Sequence, residues 1–66
     1  MKYIAQIISE NGNVWEFEGY VQDFSLWTLK GKSRPLMMSE DEAMEVLHNS
    51  DQYNDGDKPH IQIVSE

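Results

Sequence analysis

The sequence predicts an α+β fold: a small antiparallel curved sheet or partial barrel in β-β-β-α-β order, with one helix packed on one face. Three observations predict it. Residues 39 to 49 carry apolar side chains at helical spacing. The segments on either side alternate or cluster β-branched and aromatic types. Asn-Gly, Gly-Lys-Ser-Arg-Pro and a polar run rich in Asp and Asn mark reversals between them. Residues 1–66 read as a single domain with no repeat and no internal linker.

The helix is the organising element. Ser39 stands where its hydroxyl can accept from the free N–H groups of the first turn, and Glu42, three residues on, completes a capping box. Glu40, Asp41 and Glu42 then lie where the helix dipole favours negative charge. Ala43, Met44, Val46 and Leu47 form one apolar stripe, which has to be buried against the sheet.

Residues 2 to 9 form the first strand and run into Glu10-Asn11-Gly12-Asn13, whose Asn-Gly centre suits a two-residue type I′ hairpin. That register sets Ile8 opposite Trp15, Gln6 opposite Phe17 and Ile4 opposite Gly19 on one face. Tyr3, Ala5, Ile7, Val14, Glu16, Glu18 and Tyr20 fall on the other. A second reversal at Gln22-Asp23 returns residues 24 to 29 as a third strand. It adds Val21, Phe24 and Leu26 to the first face, and Trp27 and Leu29 to the second. Gly31 to Pro35 end this strand, Leu36-Met37-Met38 leads into the helix, and residues 50 to 59 form a polar loop. His60 to Val64 alternate as the final strand. Because one helix covers one face, the second face is expected either to meet a protein or to curl into the core.

Charge and composition narrow the function. Twelve acidic and five basic residues give a net charge of -7, which opposes phosphate backbones and anionic membrane surfaces, so neither nucleic acid nor membrane is an expected direct partner. There is no cysteine, hence no disulfide and no thiolate metal site. No apolar run approaches the roughly 18 residues of a membrane span, and the first residues hold no signal-peptide core, so a soluble, cytoplasmic protein is expected. A chain of this size buries only about 60% of the surface it exposes when unfolded, so a partner or a homodimer is the natural source of extra stability.

Chemical sites fare poorly. An EF-hand alignment of Asp51 to Asp57 puts Tyr53 and Gln62 where calcium ligands belong. His48 and His60 could join Asp51 or Asp55 around a metal, but no two of these four sit at ligand spacing on a helix, and no serine or threonine sits in a Ser-His-Asp pattern. No metal, cofactor or enzymatic activity is expected. Lys30, Lys32 and Arg34 read as a solvated loop guarding a strand edge.

The expected function is a small acidic non-enzymatic interaction module, an adaptor or regulator that binds or inhibits a larger protein assembly through Tyr3, Tyr20 and Trp27. The alternative is an acidic nucleic-acid mimic. Glu40, Asp41, Glu45, Asp51, Asp55 and Asp57 would then fill the basic groove of a nucleic-acid-processing protein.

Overall fold

In the computed structural model, which describes residues 2–50 and 56–64, four antiparallel strands form one curved, unclosed sheet. They are β1 (Lys2–Ile8), β2 (Val14–Val21), β3 (Phe24–Leu29) and β4 (Lys58–Val64), in the order β3-β2-β1-β4. The helix α1 (Glu40–Asn49) packs against β1 and β4. The predicted class and element order are those of the structure. The last strand starts two residues earlier than expected, with Lys58 and Pro59 paired to Ile8 and Ile7. Proline is tolerated there because β4 is an edge strand and Pro59 is close to its beginning.

The hairpin register differs from the expected one by a single residue. Gln6 pairs with Glu16, Ile7 with Trp15 and Ile8 with Val14. The reason lies in the turn. Asn11 does not take a positive φ, which a type I′ turn would require at both central positions. Instead, Gly12 N–H donates to the Ser9 carbonyl at 2.9 Å, Ser9 N–H donates to Asn13 at 2.8 Å, and Gly12 alone is left-handed at φ 91°. This is a three-residue loop: a turn followed by a glycine bulge. Asn11 Oδ1 accepts from the Asn13 amide at 3.2 Å, so its side chain steadies the turn without entering left-handed space.

The type I′ geometry appears at the other hairpin. Gln22 and Asp23 have φ of 50° and 69°, and they join Val21 to its partner Phe24. A tight two-residue turn is thus made without glycine.

A one-residue slip exchanges the faces of a strand. The side toward α1 carries Ala5, Ile7 and Phe17, which are buried with Met38, Ala43, Val46 and Leu47, and Tyr3, Trp15, Trp27 and Ile61 pack around them. Phe17 is the largest fully enclosed side chain, and it meets Tyr20 and Trp27 edge to face with ring centroids 5.0 and 5.4 Å away. The expected division, with Tyr3, Ile7 and Trp27 set apart from Phe17 on an uncovered face, is therefore corrected: all four lie on the helix side. Met44 is corrected as well. It is exposed, leaving Ala43, Val46 and Leu47 as the buried stripe of the helix.

The opposite face holds Ile4, Gln6 and Glu16, which are buried although no helix covers them. Gln6 Nε2 donates to Glu16 Oε2 at 2.9 Å and to Gln62 Oε1 at 2.7 Å, so a polar row ties β2, β1 and β4 together. Both buried polar residues find partners, which keeps the cost of their desolvation low.

Two irregularities shape the rest. Glu18 is an extra residue in β2 between the Phe17–Trp27 and Gly19–Leu26 pairs, and Gly19 takes φ 144° beside it. A bulge of this kind bends its strand and increases the twist. Between the diverging strands runs the segment leading to the helix. Leu36 N–H donates to Phe17, and Met38 exchanges both backbone bonds with Tyr3 at 2.9 Å. The helix follows at once, capped by the Ser39 hydroxyl, which accepts from Glu42 N–H at 3.2 Å.

Candidate functional site

The β2–β3 hairpin brings together the features most suited to an interaction. At its turn Tyr20, Val21 and Phe24 are 58%, 53% and 73% exposed, and Leu26 follows at 42%. These side chains occupy both sides of the hairpin. Tyr20 leans against Phe17 on the helix side, while Val21, Phe24 and Leu26 alternate onto the other.

β3 is also an edge strand, and its sequence Phe-Ser-Leu-Trp-Thr-Leu has no charge and no proline. Lys30 N–H donates to the Val14 carbonyl at 2.9 Å, so alternation turns Leu26 and Thr28 toward β2 and points the backbone of Ser25, Trp27 and Leu29 outward. The Leu29 carbonyl accepts from Lys32 at 3.0 Å. No other described segment donates or accepts a backbone bond along this edge. Charge appears only at the two ends, as Asp23 before the strand and Lys30 and Lys32 after it.

On the helix side of the same hairpin lies a cleft of about 450 Å³, lined by Ile7, Ser9, Trp15, Ser25, Trp27 and Asp57 among others. The indole N–H of Trp27 is satisfied inside the fold, donating to Ser25 Oγ at 3.1 Å. A smaller hollow of about 220 Å³ borders Tyr20, Glu42 and Glu45, together with Phe17, Leu36 and Met38.

The residues singled out from sequence are scattered. Tyr3 is half-buried and paired through its backbone to Met38, and Trp27 is half-buried against Phe17. Neither stands on an open aromatic face, which removes the reason for choosing them. Tyr20 stays exposed at the hairpin turn. Glu40, Asp41 and Glu45 are exposed on α1, with no cation paired to them among the described residues. Asp57 is half-buried beside the cleft, whereas Asp51 and Asp55 lie outside the described residues, as does most of the loop tested for calcium. Among the described residues no three His, Asp or Glu side chains gather as a metal site would require.

Sequence reasoning missed Val21, Phe24 and Leu26 because unbroken alternation along β2 sets them on the face of Phe17, whereas the extra residue at Glu18 sends them to the other. Their signal was present: six uncharged residues directly after a turn.

The fold and site together define an open, curved four-stranded sheet with one helix and an edge, β3, along which no other described segment pairs. Compared with protein-family models, curated proteins and solved structures, the chain finds no match. No helix among the described residues is long and apolar enough to cross a membrane.

Proposed function

We propose that this chain is a small, non-enzymatic protein-interaction module of the cytoplasm, an adaptor or regulator that docks on a protein partner through its β2–β3 hairpin. One observation carries the reading: β3 is an edge strand without a charge or a proline, next to a turn that exposes Tyr20, Val21 and Phe24. Open strand edges template pairing with other chains, and proteins usually blunt them with lysine, proline or a covering segment. β4, the other edge, begins Lys58-Pro59-His60 and follows that rule. β3 does not. Strand addition at such an edge draws affinity from main-chain bonds and specificity from alternate side chains.

The test is capture of partners from the extract of cells that make the protein. Wild-type chain is expected to retain a protein that Phe24→Lys and Leu26→Lys variants lose while keeping their circular dichroism spectrum. Equal retention by all three overturns the reading. The carboxylates of Glu40, Asp41 and Glu45, exposed on α1 and paired with no cation among the described residues, support the second reading, an acidic mimic acting on a basic groove. Retention that survives Leu26→Lys but vanishes at about 1 M salt, where charge interactions reach only about 3 Å, would replace the hairpin with the helix.

A further inference from the structure

We infer that β3 pairs with β3 of a second copy of this chain, antiparallel about a two-fold axis at Leu26, joining two sheets into one of eight strands. The inference rests on the proposed role of this edge and names its first occupant.

The argument begins with the open backbone groups. Ser25 and Trp27 each present an outward N–H and C=O, while the Leu29 carbonyl is engaged by Lys32. An antiparallel partner has to place outward residues opposite outward residues. With Leu26 opposite Leu26, Ser25 of each copy faces Trp27 of the other, and all four pairs of open groups are used. Leu26 then occupies a non-hydrogen-bonded site, where directly opposed Cα atoms stand about 4.5 Å apart.

Side chains agree with this register. Phe24 and Leu26 share the face away from the helix, and both are exposed. The pairing sets Leu26 against Leu26 and Phe24 against Thr28, forming a continuous strip across the axis. Charge agrees too. Asp23 precedes the strand and Lys30 follows it, so antiparallel copies bring the acidic end of one to the basic end of the other, whereas a parallel arrangement would match like with like. The net charge of -7 on each copy is carried largely elsewhere: α1, with Glu40, Asp41, Glu42 and Glu45, packs over β1 and β4.

The absence of any native cysteine makes the register directly testable. Opposed Cα atoms in a non-hydrogen-bonded pair fall within the range a disulfide bridges, whereas residues four apart along the strand do not. Purified Leu26→Cys is expected to oxidise in air to a covalent dimer of twice 7.7 kDa. Phe24→Cys and Thr28→Cys should each remain largely monomeric alone and cross-link when mixed. The wild-type chain should show a doubled mass by light scattering, with protection of the Ser25 and Trp27 amides from hydrogen exchange that rises with concentration. A wild-type monomer across the dilution series, or cross-linking equally efficient at all three positions, overturns the inference. Loss of the dimer with hairpin-dependent capture of another protein intact would leave the proposed role of the edge standing and reject only the second copy.

Discussion

Replacing Gln22-Asp23 with Asn-Gly should stabilise the protein, and the magnitude follows from two backbone angles. Both residues are held left-handed, at φ 50° and 69°. An L side chain there costs roughly 1–2 kcal/mol, less for Asp, whose short polar group suits the conformation. Glycine at position 23 removes its share of that cost but adds about 0.5–1 kcal/mol of chain entropy to the unfolded state. Asparagine at position 22 tolerates the angle better than glutamine does and carries no such entropy penalty. The net gain for the double variant is about 1 kcal/mol, equivalent to about 4–8 °C in Tm for a domain of this size. Thermal and urea unfolding followed by circular dichroism would measure it. Urea titration at fixed protein concentration is the cleaner assay, because association at the neighbouring edge would otherwise add to apparent stability. An unchanged or lowered midpoint, with an unchanged urea slope, would refute the type I′ assignment at this turn.

Other perturbations probe separate parts of the fold. Glu10→Pro should be neutral or stabilise by about 0.4–1 kcal/mol, since position two of the Ser9–Gly12 turn accepts proline. In the two-residue loop it would cut a ladder bond, so urea midpoints separate the two registers. Phe17→Ala should cost about 3–5 kcal/mol, most of what a 66-residue domain possesses, and its near-ultraviolet dichroism should collapse. Gln6→Leu strands the buried Glu16 carboxylate and should cost about 1–3 kcal/mol, whereas the Gln6→Leu, Glu16→Leu pair should recover most of that loss in the same titration.

The helix was legible because its signals are local. Ser39, the three acids after it and the spacing of Ala43, Val46 and Leu47 each act within a few residues, and the structure shows α1 at Glu40–Asn49. The strands and their order were legible for a similar reason, through turn residues and β-branched clusters. Register was not. It depended on whether Gly12 shares its left-handed geometry with Asn11 or supplies it alone, and Asn-Gly serves either turn. That choice decided which side of β1 joined Phe17 beneath the helix, and so the placement of Tyr3, Ala5 and Ile7, while the extra residue at Glu18 decided that Trp27 rather than Phe24 and Leu26 lies on that side. The acids of the candidate site were visible as a run in sequence, but Glu40, Asp41 and Glu45 belong to a helix surface and Asp57 to the approach to β4. Met38 was expected to lead into the helix and pack on its first turns from before the cap. Its exchange of backbone bonds with Tyr3, across 34 intervening positions, has no local signature.

The seven pairs between β1 and β4, from Lys2–Val64 to Ile8–Lys58, bear on how the chain reaches this state. The middle strand of the sheet obtains one of its two neighbours from the far end of the sequence. Closing that loop costs entropy before any contact repays it, so folding should be slow for so short a chain and should proceed as one event. The β1–β2 and β2–β3 hairpins are local and able to form early, but β1 would then be a second open edge, with Ala5 and Ile7 bared beside it. A chain interrupted before Lys58 would therefore expose two sticky edges in place of one. The last strand acts as a latch, and until it is set the molecule is at its most prone to pairing with the wrong neighbour.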